Sequence, residues 1–256
     1  MVDIKTNKYL DGFLSALSFF TVVPLKKNYA ITKYTLYFFT TIGLIVSIIP
    51  AVLYYLLHQY SSILAAVIAI SLIIMIYGFN HLDAVMDFGD SLMVSGYENK
   101  QRVIKDKYTG SGGVGLLFII YINAIAFLIF FNNISGFIII ISGELISKYM
   151  TLYSMNNMDS FNEGLGNIFM QKLNTKAFIY NAIPLLIAFI LDFYNIIIFI
   201  IILFIIRFSK NRINRDYHGI NGDIIGSVGE ATRLIFYLIS FIFIIFNLKF
   251  YFLPIL

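Results

Sequence analysis

Residues 35–57, TLYFFTTIGLIVSIIPAVLYYLL, are 23 consecutive residues without a charge. A helix of about 20 mainly apolar residues spans the hydrocarbon core of a bilayer, which is about 30 Å thick. The whole 256-residue chain has this character: it is 59% hydrophobic and 12% charged, and its mean hydropathy is +0.85. A soluble domain has about 25% charged residues. The sequence therefore predicts an all-α, polytopic integral membrane bundle in a single domain, residues 1–256.

Six further apolar runs bring the predicted number of transmembrane helices to about seven. They lie at about 61–80, 114–131, 134–153, 177–191, 194–208 and 233–248. The fifth and sixth runs are short, and only residues 192–195 separate them. Before the first span, residues 10–25 are moderately apolar with polar interruptions, which predicts an N-terminal amphipathic helix that lies along the membrane interface or inserts partly.

The basic residues are distributed unevenly between the loops. Seventeen of the 18 Lys and Arg residues lie on one side of the predicted spans, whereas residues 58–62, 132–133 and 192–195 contain none. The positive-inside rule places the basic side in the cytoplasm. We therefore expect a multi-pass protein of the cell membrane whose site faces the cytoplasm. We expect the protein to interact with the lipid bilayer and with small-molecule substrates, and we do not expect it to bind nucleic acid. Formation of a homo-oligomer is left open.

Three carboxylates follow the second apolar run, in the stretch 80–90, NHLDAVMDFGD. If the helix of that run continues, Asn80, Asp83, Asp87 and Asp90 lie at i, i+3, i+7 and i+10, on one face. Carboxylates so close repel one another unless a cation lies between them. Oxygen ligands suit Mg²⁺, so we predict that Asp83, Asp87 and Asp90 bind Mg²⁺; a solvated polar helix end is the plainer interpretation. His81 points off this face, and either a capping or a functional role is open to it.

A basic, glycine-rich segment comes next, at residues 102–113, RVIKDKYTGSGG. Glycines let backbone N–H groups approach an anion, and the N-terminus of the following helix favours negative charge. Arg102, Lys105 and the loop Gly110–Gly113 are therefore candidates to bind phosphate. Residues 162–167, NEGLGN, on their own predict only a tight turn.

A second pair of carboxylates enters the last apolar run from the same side. Asp223, Ser227 and Glu230 lie at i, i+4 and i+7 on one helix face, and Asn221 is placed to cap that helix. The pair could serve a second cation or a substrate hydroxyl, and the alternative is that Asp223 is simply a favourable charge at a helix N-terminus.

These segments, taken together and in this order, resemble the cobalamin synthase family, the adenosylcobinamide-GDP ribazoletransferases. The resemblance extends from about residue 15 to about residue 230. The matching segments are LSFFTVVPL (17–25), GFNHLDAVMDFGD (78–90), KDKYTGSGGVG (105–115), NEGLGNIF (162–169) and GINGDIIGSVGE (219–230). The three aspartates of the stretch 80–90 are retained, as are Asp106, Gly110, Asp223 and Glu230.

The chain departs from the family pattern at a few positions. Asn80 and Ala84 stand where the family usually has glycine, and Asn221 stands where it usually has threonine. Near the position of the family's Ser-Arg pair in the fourth span, this chain has Gly143-Glu144, and Lys148 follows one helical turn later. Val22 or Val23 stands where many family members have arginine. The last two changes remove a positive charge.

The resemblance implies transfer of the cobinamide-phosphate group of adenosylcobinamide-GDP to α-ribazole or its 5′-phosphate, with release of GMP. This reaction completes the lower nucleotide loop of cobalamin. The implied catalytic residues are Asp83, Asp87, Asp90, Asp223 and Glu230, with Mg²⁺ as the cofactor. The implied substrate-binding residues are His81, Arg102, Lys105, Asp106, Gly110, Gly113, Asn167 and Asn221.

Other protein classes fit the pattern less well. An intramembrane prenyltransferase would need Asn-x-x-x-Asp-x-x-x-Asp, and the spacing from Asn80 to Asp83 is one residue too short. A CDP-alcohol phosphotransferase would need an Asp-Gly-x-x-Ala-Arg segment, and no such Ala-Arg occurs. A cation transporter would place polar groups near the middle of several spans; Glu144 is the one candidate.

Overall fold

The computed structural model describes residues 7–25 and 28–246, and the regular structure in this part of the chain is helical. A 3₁₀ turn, Thr35–Phe38, leads into the second helix. The α-helices are α1 (Lys8–Phe20), α2 (Phe39–His58), α3 (Ser62–Tyr77), α4 (Asn80–Leu92), α5 (Tyr97–Val103), α6 (Ser111–Leu128), α7 (Asn133–Met155), α8 (Leu165–Lys172), α9 (Thr175–Leu191), α10 (Tyr194–Tyr217) and α11 (Gly222–Ile245). The predicted all-α bundle is confirmed.

The sequence predicts about seven spans, and the structure has four to six candidate spans in the described residues. Within the described residues, four helices are long and apolar enough to cross a membrane: the segment Thr35–His58, α6, α7 and α11. The number rises to six if α3 with α4, and α8 with α9, are each taken as one bent span. Each predicted apolar run forms a helix in the residues that the structure describes; residues 247 and 248 of the last run lie outside them. The run 194–208, however, is only the first part of α10, whose remaining residues are mostly polar or basic.

The helix of the second apolar run does not continue through the acidic stretch, contrary to the prediction. It ends at Gly78, whose φ of 75° is left-handed and whose N–H donates to the carbonyl of Ile74 at 3.1 Å. Phe79 is also left-handed, and α4 then leaves α3 at an angle of 94°. Glycine is the usual residue at such a helix end because it has no Cβ to clash. The acidic face survives because all its residues lie within α4.

Helix α4 is held between α6 and α11 by close backbone approaches. A Cβ built on Gly89 would lie 2.7 Å from the carbonyl oxygen of Gly112 in α6. On the side that faces α11, a Cβ built on Gly226 would lie 2.9 Å from the Cβ of Ala84. Next to it, Ser227 Oγ donates to the carbonyl of Ala84 at 2.8 Å. The starts of α6 and α11 are thereby fixed beside the acidic face.

Helix α7 is the central helix, buried along most of its length. It runs antiparallel to α11, since Ser147 donates to the carbonyl of Gly229 at 2.8 Å and Gly143 faces the ring of Tyr237. The predicted N-terminal helix is present as α1, which is capped by Asn7 and buries Gly12 and Phe20. It ends at Phe20 rather than at residue 25.

Candidate active site

Five carboxylates gather where α4 meets the starts of α6 and α11, and we call this region the acidic end: Asp83, Asp87, Asp90, Asp106 and Asp223. Burial raises the pKa of Asp87 to about 7, and the charges of Asp83, Asp223, Asp90 and Asp106 contribute to this rise. None of the five forms an ion pair with a basic side chain of the described residues. An excess of negative charge of this kind favours a bound cation.

Asp90 acts as the cap of α6. Its Oδ2 accepts the N–H of Gly110 at 2.6 Å, and its Oδ1 accepts the N–H of Gly113 at 2.8 Å. The glycine-rich turn is thus an anion site, as its composition indicates, and the anion in this structure is Asp90 itself. Because both Asp90 oxygens are engaged, Asp83 and Asp87 are the carboxylates of α4 left open to an ion.

The metal assignment remains a prediction. Among the described residues no group of three or more His, Asp or Glu side chains is arranged around one ion position. Mg²⁺ in phosphate-handling sites is held by one or two carboxylates, with water and substrate phosphates completing its shell. Asp83 and Asp87 fit such a two-carboxylate site.

A cavity of about 280 Å³ adjoins the acidic end, bounded by α1, α2, α3, α4, α7, α8 and α11. Asn80, His81 and Asp223 contribute polar atoms to its wall, and Gly166 and Gly222 bring the starts of α8 and α11 together over it. The rest of the wall consists of five aromatic residues, several aliphatic ones, Lys148 and Thr151. A Cβ on Gly166 would lie 2.7 Å from the backbone nitrogen of Gly222. The segments 162–169 and 219–230, which are far apart in sequence, therefore form one wall.

His81 forms a pair with Glu230. His81 Nδ1 lies 2.7 Å from Glu230 Oε1, the other oxygen accepts the hydroxyl of Tyr121 at 2.9 Å, and Arg233 bonds to both oxygens. Since the oxygens of Glu230 accept from Tyr121 and pair with Arg233, His81 Nδ1 is the donor of this contact and Nε2 keeps a free lone pair. Burial, aided by Lys148, lowers the pKa of His81 in spite of Glu230. His81 is therefore a neutral base held in one tautomer.

The contacts of Glu230 bear on the two roles that the sequence leaves open to it, completing the metal site or orienting the attacking hydroxyl. Its oxygens are occupied by His81, Tyr121 and Arg233, so it is not available to complete a metal site at the acidic end. It orients the imidazole instead, as a carboxylate commonly does for a functional histidine.

A buried charge network lies behind this pair, and the sequence analysis did not find it. Arg233 is 2% exposed and bonds to Glu144 as well as Glu230, and the hydroxyl of Tyr77 donates to Glu144 at 2.6 Å. We expected Arg233 at the start of a span, but α11 begins eleven residues earlier, at Gly222. The available signal was the presence of Glu144, Lys148 and Arg233 inside apolar runs, where charged residues usually have a function or a partner.

The remaining predicted residues lie outside the cavity or serve local structure. Arg102 is exposed and donates to Asn99 at 3.2 Å, and Lys105 lies over the ring of Phe161 at 5.4 Å. Asp106 accepts the N–H of Tyr108, and Asn167 accepts from Gln171. The predicted cap is confirmed: Asn221 accepts the N–H of Ile224 at 3.0 Å, and it also donates to Asp223 at 2.7 Å, which orients that carboxylate.

Comparison with known proteins agrees with the motif resemblance. A family model described as cobalamin-5-phosphate synthase matches residues 12–241. A protein of Picrophilus torridus named adenosylcobinamide-GDP ribazoletransferase is 40% identical, over 88% of this chain and 95% of its own. Proteins with the same name from Thermoplasma acidophilum and Saccharolobus islandicus are 31% and 32% identical over 91% and 85% of this chain, and over 92% and 86% of their own. No solved structure matches the chain.

Proposed function

The chain belongs to the cobalamin-5-phosphate synthase family, and from this premise we propose that it transfers the cobinamide-phosphate group of adenosylcobinamide-GDP to α-ribazole or its 5′-phosphate. The observation that carries the proposal is the oriented His81–Glu230 pair, placed between an aromatic cavity and a group of unpaired carboxylates. A nucleophile-activating base and an acidic, cation-attracting surface are the two elements that attack on a pyrophosphate requires.

His81 serves as the general base in this proposal. Nε2 accepts the proton of the attacking ribose hydroxyl as its oxygen forms a bond to the cobinamide-side phosphorus. The bond from that phosphorus to the bridging oxygen breaks, and GMP leaves with the electron pair. Glu230 stabilises the imidazolium that forms, because it already accepts the Nδ1 hydrogen. Asp223, which lines the cavity, orients the hydroxyl before attack.

Asp83 and Asp87 would hold the Mg²⁺, since they are the α4 carboxylates whose oxygens are not engaged by backbone N–H groups. When bound, the ion supplies charge neutralisation at the attacked and leaving phosphates. Asp90 acts on the same region by holding the start of α6 against α4, which keeps the glycine-rich turn beside the acidic end.

The decisive experiment is an assay of purified protein with adenosylcobinamide-GDP and α-ribazole, with and without Mg²⁺, in which released GMP is measured. We expect one GMP per corrinoid product and none without the divalent ion. GMP formed without the nucleoside would indicate hydrolysis, and the absence of turnover with both substrates and Mg²⁺ would refute the assigned reaction.

His81→Asn tests the general base. We expect kcat to fall about 100-fold, the usual contribution of a positioned base, with little change in the KM for adenosylcobinamide-GDP. The matched control is His58→Asn, at the opposite end of α2 from the cavity residue Phe39; its ring lies 5.5 Å from that of Tyr54. If His81→Asn retains wild-type kcat, another group must accept the proton.

The proposal includes a cytoplasmic site in the cell membrane, which the distribution of basic residues supports. Because the chain has no cysteine, single cysteines can be labelled without background. We expect an impermeant maleimide to label Tyr60→Cys in intact cells, and to label Lys100→Cys and Arg215→Cys only after permeabilisation. Labelling of the last two from outside would invert the topology.

A further inference from the structure

Four phenylalanines and one tyrosine enclose the inner part of the cavity, which we call the aromatic chamber: Phe19, Phe20, Phe39, Phe169 and Tyr77. The phenylalanine rings contact one another, with centroids 4.9 Å apart for Phe19 and Phe169 and 4.5 Å apart for Phe20 and Phe39. They come from α1, α2 and α8, so the chamber is assembled from separate parts of the chain.

A buried ammonium group lies in this chamber. Lys148 is 1% exposed, and its Nζ has no hydrogen-bond partner among the described residues. The nitrogen lies 3.9 Å from the centroid of the Tyr77 ring and 5.9 Å from that of Phe20. A cation over an aromatic face is stabilised, but its three N–H donors are unused, and a buried donor without a partner is costly. An incoming acceptor would remove that cost.

The chamber has a deep end and a mouth. Lys148 lies beside Ser147, which bonds to Gly229 of α11, whereas Asp223 is in the first turn of α11, six residues earlier. At 1.5 Å per residue, Lys148 is about 9 Å deeper than Asp223 along the helix axis. Asn80 and His81 are also among the polar residues of the wall. A ligand that fills the cavity would thus place an aromatic part beside Lys148 and hydroxyl groups beside Asp223.

The volume of the cavity limits which of the two substrates can enter it. Pockets that enclose a whole drug-sized molecule measure about 300–1,000 Å³, so a cavity of about 280 Å³ takes a nucleoside and excludes the much larger corrinoid. We propose that the aromatic chamber binds the base of the nucleoside substrate, an inference that rests on the proposed function. In this complex the Lys148 ammonium donates a hydrogen bond to an unprotonated ring nitrogen of the base. The ligand class is a nucleoside with a bicyclic aromatic base, whose ribose lies towards His81 and Asp223.

The test compares α-ribazole with an indole analogue in which the accepting ring nitrogen is replaced by CH. Binding of each to purified, full-length protein is measured by calorimetry without the GDP-linked substrate. We expect wild type to bind α-ribazole at least about 10-fold more tightly than the analogue, as a hydrogen bond to a charged group allows. In Lys148→Met the two ligands should bind equally, because only α-ribazole loses affinity.

Two controls separate this role from a structural one. Lys148→Met removes a cation that faces the buried carboxylates Glu144 and Glu230, so it should lower the unfolding temperature; its unchanged affinity for the indole analogue is the evidence that the cavity itself is intact. Lys33→Met removes an exposed lysine that lies over the ring of Tyr34, and it should leave the preference unchanged.

The inference fails if Lys148→Met keeps the wild-type preference, or if it weakens both ligands alike. It also fails if the loss is confined to α-ribazole 5′-phosphate, which would assign Lys148 to the phosphate. Because binding is measured without turnover, this failure is distinguishable from failure of the proposed reaction, which would appear as absent GMP release in the wild type.

Discussion

Asp87→Asn is expected to lower the rate of GMP release about 1,000-fold while leaving the fold intact. Asp87 is half-buried, and Asp83, Asp90, Asp106 and Asp223 surround it with negative charge. Under the proposed function this charge holds a cation against the pyrophosphate, and its loss removes several kcal/mol of transition-state stabilisation, which corresponds to about three powers of ten in rate. Asp83→Asn should lower the rate of GMP release for the same reason.

The stability of the same variant distinguishes this role from a structural one. Removing one of several repelling carboxylates relieves repulsion, so Asp87→Asn should have an unfolding temperature equal to or above that of the wild type without Mg²⁺. Mg²⁺ should raise the unfolding temperature of the wild type and have a smaller effect on the variant. Asp11→Asn, in the first turn of α1, is the matched control and should keep full activity. Near wild-type turnover of Asp87→Asn would rule out the metal assignment.

The helices could be predicted from sequence because a bilayer imposes a single length scale on apolar runs. The break between α3 and α4 could not be placed by that criterion, since apolar residues continue up to Phe79. The glycine at position 78 was the local signal, because a left-handed helix end favours glycine. What glycine does not specify is the 94° turn that follows, which depends on the packing of α4 between α6 and α11.

The candidate site was predictable in its composition and not in its pairings. Carboxylates are scarce in this chain, so the aspartates of α4 were conspicuous. That Asp90 caps α6, and that Glu230 holds His81, depends on contacts across 20 to 149 residues, which no local pattern encodes. The aromatic chamber was invisible for another reason: in a chain with 26 Phe and 18 Tyr, composition does not distinguish rings that line a cavity from rings that face lipid.

Arg233→Met should give the largest loss of stability of any substitution considered. The guanidinium is 2% exposed and bonds to Glu144 and Glu230, which are also buried. Removing it leaves two buried carboxylates without their hydrogen-bonded ion-pair partner, and breaking a buried ion pair in this way costs about 3–5 kcal/mol. The free energy of unfolding, measured by denaturant titration of the purified protein in detergent micelles, should fall by about that amount. Arg233→Lys should fall in between, since lysine keeps the charge but not the planar fork.

A quadruple variant separates the charge balance from the catalytic role of the network. Glu144→Gln, Glu230→Gln and Lys148→Met added to Arg233→Met remove the two glutamates together with both buried cations that face them, and replacing a complete buried network with neutral groups is far less costly than breaking it. Stability should therefore largely return, whereas GMP release should not, because a glutamine at position 230 no longer fixes the tautomer of His81 through an ionised carboxylate. Arg212→Met, at a side chain that is 69% exposed and pairs with Asp216, should change the free energy of unfolding by less than about 1 kcal/mol. An Arg233→Met protein as stable as the wild type would mean that the two glutamates are not ionised together in the fold, and the assignment of a fixed, neutral His81 would fall with it.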